Sequence, residues 1–227
     1  MKLLEIPNLN DIYRGYRRGI YKMSLCNNTH DYMLVEDYMQ KINYCIHDLN
    51  HELTCIDTLS PKSITYIISL VTWISEAMPA LRKVYRPVVT ANFEYADEDQ
   101  LQKAYAYMRA LRSFAIAHPL STTNHAAYGM DGSLMCIDIK VPSRTLNIVP
   151  DKAFYTLDHE GLHHENPAHA DFYLYAYLRK DEHHVESVYI GCMLRDIYRV
   201  ADLYIDKLYA LDRYLRKMTK EGRRLKS

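Results

Sequence analysis

Apolar positions in the first half of the chain recur at three- and four-residue steps, the spacing that stacks side chains on one face of an α-helix. Val35, Tyr38, Ile42, Cys45, Ile46, Leu49, Leu53 and Ile56 form the first such stripe, with Thr29 or Asp31 in place to cap it and Ser60-Pro61 closing it. Ile64, Ile67, Ile68, Val71, Ile74, Met78 and Leu81 form the second. Pro61 suits its first turn, whereas Pro79 should kink or end it. A third helix is predicted from about Asp97, where an acid-rich first turn complements the helix dipole, to Ala117, with Leu101, Ala104, Tyr105, Met108, Leu111 and Ala115 as its stripe. The fourth runs from about Met193 to Met218 and alternates threes and fours through Leu194, Ile197, Ala201, Tyr204, Leu208, Leu211 and Leu215, as a bundle helix does.

Between the third and fourth helices the period drops to two. Leu134 to Val141 is bounded by Met130-Asp131-Gly132 and Pro142, and Phe172, Leu174, Ala176 and Leu178 alternate with Tyr173, Tyr175 and Tyr177. Val185 to Ile190 can return antiparallel across the turn at Lys180-Asp181-Glu182-His183. The predicted fold is therefore mainly α: a bundle of four to five helices in a single domain over 1–227, with a small antiparallel β insertion in 120–190, between the third and fourth long helices.

Composition narrows the class of partner only a little. The 28 basic and 28 acidic side chains balance, so no overall field favours nucleic acid or membrane. Their distribution is uneven: residues 1–27 hold five Lys or Arg against two acids and residues 207–227 hold eight against two. Solvated termini explain such ends most simply, and a phosphate backbone is what they would otherwise hold. Five scattered cysteines, with no Cys-x-x-Cys pair, suit a reduced compartment and supply no zinc finger. The opening Met1-Lys2-Leu3-Leu4-Glu5-Ile6-Pro7 is too short for a signal peptide and no apolar run approaches about 18 residues. A soluble, cytoplasmic protein without a membrane partner is expected. Tyrosine is over-used, with 21 residues against four Phe, which suits a protein with interfaces.

Arg112 and His118 are the main candidate chemistry. Measured from Leu101, Arg112 falls inside the third stripe, and a guanidinium there needs a carboxylate, an aromatic ring or a function. His118 precedes Pro119, which pushes it out of helical dihedrals and onto the turn that leaves the helix. One alternative is purely structural: Arg112 pairs with a helix carboxylate and His118 caps the helix.

Arg112-Ser113-x4-His118, at the end of a bundle helix and continuing as Pro119-Leu120-Ser121, resembles the Arg-x(4–6)-His motif of HEPN-type ribonucleases, many of them toxins or abortive-infection proteins of prokaryotes. The resemblance covers about fifteen residues and the general helical plan. It implies a HEPN-like domain and metal-independent cleavage of single-stranded RNA, with no cofactor. His118 would act on the ribose 2′-hydroxyl and Arg112 would steady the scissile phosphate, with the polar Ser113 beside it. Imidazole exchanges protons near neutral pH and guanidinium forks onto phosphate oxygens, so the residue types fit. The resemblance also implies a homodimer, since two such motifs meet across an interface, and it leaves room for an antitoxin or regulatory RNA. The contrasting class is a non-catalytic helical module that binds RNA or protein.

Two further motifs compete for notice. His159-Glu160-Gly161-Leu162-His163 fits the His-Glu-x-x-His pattern of zinc metallohydrolases, which needs a helix so that both imidazoles face one metal. Gly161 inside it and Pro167 after it argue for a polar loop instead. Arg14, Arg17, Arg18 and Lys22 interleave with Tyr13, Tyr16 and Tyr21, as stacking and phosphate contacts to single-stranded RNA require, or as an amphipathic first helix packing its tyrosines would. Trp73, beside the second stripe, is expected in the core.

Overall fold

The computed structural model describes residues 5–14, 19–120, 125–128, 130, 132–142, 152–164 and 170–224. Helices α1 (Asn10–Arg14), α2 (Thr29–Thr54), α3 (Pro61–Lys83), α4 (Pro87–Thr90) and α5 (Glu98–Arg112) precede strands β1 (Leu134–Lys140), β2 (Lys152–Phe154), β3 (Phe172–Arg179) and β4 (Val185–Cys192), and α6 (Leu194–Arg224) closes the order. The chain is mainly α with a small sheet between its third and fourth long helices. It divides into two compact units, one made of 1–54, 70–102 and 199–227, the other of 55–69 and 103–198.

In the first unit, α2 buries Val35, Met39, Ile42, Cys45, Ile46 and Leu49. Its cap is neither Thr29 nor Asp31: the Asn28 side chain accepts the Asp31 N–H at 2.9 Å, as an N-cap does. The helix ends at Thr54, and Ile56 begins a separate 3₁₀ turn. Trp73 is not core but 40% exposed, with the Lys41 ammonium 3.6 Å from its ring centroid. Helix α3 runs on through Pro79 to Lys83. Met78 and Leu81, buried on either side of the proline, hold it against a cost of about 3 kcal/mol. This helix is long and apolar enough to cross a membrane, and 61% of its apolar window is buried inside the protein, as in a core helix.

Helix α6 buries all seven residues of its predicted stripe. Asp212, 2% exposed, is also buried on it, and the sequence reading did not single it out. Its Oδ1 accepts the Gly19 N–H at 2.8 Å and the Ile20 N–H at 3.0 Å, and Oδ2 lies 2.6 Å from Arg216 Nε. A methyl group on Gly19 would collide with the α6 backbone at Asp212 and Arg216, so the chain can pass this close only without a side chain.

In the second unit the sheet order is β1-β3-β4-β2. The period-two reading holds: Met135, Ile137 and Ile139 on β1 and Phe172, Leu174, Ala176 and Leu178 on β3 face inward. Ile137 pairs with Ala176, and β3 and β4 turn back antiparallel, with Asp181 Oδ1 accepting the His183 and His184 N–H groups. The insertion is mixed rather than antiparallel, because β2 runs parallel to β4, with Ala153 opposite Ile190. Three residues are too few to show a period, so neither this strand nor its direction was visible in the pattern.

Candidate functional site

Helix α5 opens with Glu98 and Asp99 and carries Arg109 and Arg112 in its last turn, each sign at the end of the dipole that favours it. Its buried residues are Leu101, Ala104, Tyr107, Met108, Ala110, Leu111 and, one turn on, Phe114. At about 100° per residue that arc centres on the side of Tyr107, roughly 100° away from Leu101. Arg112, about 20° from Leu101 on the far flank, is therefore exposed, not buried in the stripe. Tyr105, expected in the core, is 51% exposed beside it. The misplacement came from counting Tyr105 as the apolar tyrosine when Tyr107 is.

The helix does not stop at Arg112 but widens into a π turn over Ser113–Ala117, whose closing bond runs from the His118 N–H to the Ser113 carbonyl at 3.0 Å. His118 itself has left the helix, at φ −139° and ψ 46°, as the following proline requires. Two bonds pin the exit. The Pro119 carbonyl accepts the Ile137 N–H of β1 at 2.8 Å, and His125 Nε2 donates to the His118 carbonyl at 3.0 Å. His125 is buried, its ring 4.7 Å from that of Phe114.

Arg109, Arg112, Ser113, His118 and His125 line one open cleft of about 500 Å³, with Tyr105 and Tyr128 at its sides. No Asp or Glu is among the described residues that line it. Two guanidiniums, an exposed imidazole and a hydroxyl around one cleft make a surface for an anion, held by fork-like hydrogen bonds and addressed by a group that can take or give a proton. Arg112, Ser113 and His118 line the same cleft, which His118 reaches because it has left the helix. Sequence reasoning missed Arg109, His125 and Tyr128. Arg109 was findable, since a residue three before Arg112 shares its helix face. His125 and Tyr128 reach the cleft only through the path of the chain beyond the helix.

His159 lies in a bend and His163 in an antiparallel bridge to Phe154, neither on a helix, and Gly161 between them takes a positive φ of 74°. Their rings stack at 4.3 Å, and Thr156 Oγ1 shares a 2.9 Å hydrogen bond with His163 Nε2. The helical geometry that would aim both at one metal is missing, and no group of three or more metal-binding side chains occurs among the described residues. Of the candidate RNA contacts near the N-terminus, Arg17, Arg18 and the side chain of Arg14 lie outside the described residues. Lys22 is half-buried in the first unit, where its carbonyl accepts the Leu25 N–H.

Comparison of the chain with protein families, with curated proteins and with solved structures finds no match.

Proposed function

We propose that the chain is a metal-independent endoribonuclease for single-stranded RNA, of the kind used as a prokaryotic toxin or antiphage defence protein, and that it acts as a homodimer with a HEPN-like helical domain. The observation that carries this reading is the cleft shared by Arg112 and His118, open to solvent and lined, among the described residues, by a second guanidinium and no carboxylate.

In the proposed reaction a phosphodiester lies across Arg109 and Arg112, whose N–H groups hold its non-bridging oxygens as negative charge builds there. His118 takes the proton of the ribose 2′-hydroxyl, and that oxygen attacks phosphorus. The bond to the 5′-oxygen breaks, leaving a 2′,3′-cyclic phosphate, and the 5′-oxygen takes a proton from water or from an imidazole of the second copy. His125, donating to the His118 carbonyl, fixes the backbone from which His118 projects and thus acts as a positioning residue.

Incubating the purified chain with labelled single-stranded RNA, with and without EDTA, tests the reading. Equal cleavage in both is expected. A helical module that binds RNA without cutting it would instead retard the RNA and leave it whole.

A further inference from the structure

A second, smaller cavity of about 220 Å³ adjoins the cleft, with Ala106 and Tyr128 lining both. Helix α5 forms one wall, with Lys103 and Tyr107, and the turn at 155–161 forms the other, with Tyr155 and Glu160. It is smaller than the roughly 300–1,000 Å³ of a pocket for a drug-sized ligand, which suits a single planar ring system. Its aromatic side is built: Tyr107 and Tyr155 stack at 5.0 Å, and Tyr128 meets Tyr155 edge-on at 5.9 Å. The Tyr107 hydroxyl is buried without a hydrogen-bond partner among the described residues, a costly state for an ordinary core tyrosine.

We infer that this cavity binds a guanine base, seated against Tyr128 with Lys103 and Glu160 reading its edges. The inference rests on the ribonuclease reading only for the source of the base, the nucleotide next to the phosphate in the cleft. An aromatic wall stacks on any base. Selection comes from the charged groups that line it, Lys103 on the α5 wall and, on the turn, Glu160 with Asp158 two residues before it. A carboxylate accepts only, and guanine alone presents two neighbouring donors, N1–H and N2–H₂, to its two oxygens. An ammonium donates only, and guanine offers it O6 and N7. Adenine would set its N6 amino group against Lys103, donor to donor. Uracil and cytosine stack less surface and lack the paired donors. Glu160 and Lys103 are both exposed, so substituting them leaves the core intact.

The test is calorimetric titration of the full-length chain with guanosine, adenosine and inorganic phosphate, repeated on Glu160→Gln, with circular dichroism to confirm folding. Guanosine should bind at least about ten-fold more tightly than adenosine, and Glu160→Gln should remove most of that preference while leaving phosphate binding unchanged. Equal affinity for the two nucleosides, or a preference that survives Glu160→Gln, overturns the inference even if the chain cleaves RNA. A guanosine preference lost in Glu160→Gln, in a chain that cuts no RNA, upholds the pocket and removes only the ribonuclease reading.

Discussion

Replacing Asp212 by Ala should be among the most damaging changes available in this chain. The carboxylate is almost fully enclosed and accepts the Gly19 and Ile20 N–H groups as well as facing Arg216. Hydrogen bonds to a charged acceptor contribute about 1.5–3 kcal/mol each, and stripping a buried group of its charged partner costs about 3–5 kcal/mol. The Arg216 side chain is 34% exposed, so its share is discounted for solvent screening and the two N–H bonds carry most of the effect. A loss of about 3–5 kcal/mol is expected for Asp212→Ala, and a domain of this size loses about 2–4 °C of Tm per kcal/mol, so the drop should be roughly 6–20 °C. Asp212→Asn keeps an oxygen for the N–H groups and should lose less, and Arg216→Met should lose about 1 kcal/mol or less. Thermal unfolding followed by circular dichroism measures all three. A Tm for Asp212→Ala within about 2 °C of the parent, or Arg216→Met as damaging as Asp212→Ala, would refute the reasoning.

Three smaller effects follow from the same structure. Cys55 and Cys136 are exposed whereas Cys26, Cys45 and Cys192 are buried, and burial pushes the Cys26 and Cys45 thiols up to about 11 and that of Cys192 higher still; a chromogenic disulfide at pH 8 should therefore label two thiols quickly and the rest only on unfolding. Desolvation, and then the charge of Asp206, raises the Asp202 carboxyl. An acid whose folded pKa is raised destabilises the protein above that value, and the penalty lifts as pH falls through it, so Asp206→Asn should add about 0.2–0.5 kcal/mol at pH 7 and nothing below about pH 4, as paired denaturant titrations can check. Because Arg112 is exposed, Arg112→Ala should leave Tm within about 2 °C of the parent while weakening RNA binding, which calorimetry and a gel shift read side by side.

The parts of the fold that could be read from the sequence are those where one face alone decides. The α6 stripe is buried because the leucines and the isoleucine that dominate it have nowhere else to go, carrying Ala201 and Tyr204 in with them, and β3 alternates for the same reason. The errors fall on side chains that can live on either side of a surface. Tyr105 and Tyr107 are two residues apart and chemically identical, and a stripe drawn through Tyr105 instead of Tyr107 rotates the expected core far enough to enclose Arg112. Trp73 sits at the edge of its stripe, where a lysine covers its ring. The π turn after Arg112 is held by a backbone bond that leaves no mark on side-chain pattern. Arg112 lacks the burial that its place in the predicted stripe implies, yet the turn brings it and His118 to one cleft.

Cleavage of 5′-labelled single-stranded RNA in EDTA by the parent and by His118→Ala, each first matched for Tm, tests the central claim most directly. The account predicts metal-free cutting by the parent and a rate lowered by roughly 10²–10⁴ in the folded variant, with RNA affinity nearly unchanged. A parent that leaves RNA whole, or a His118→Ala protein that cuts as fast as the parent, would contradict it.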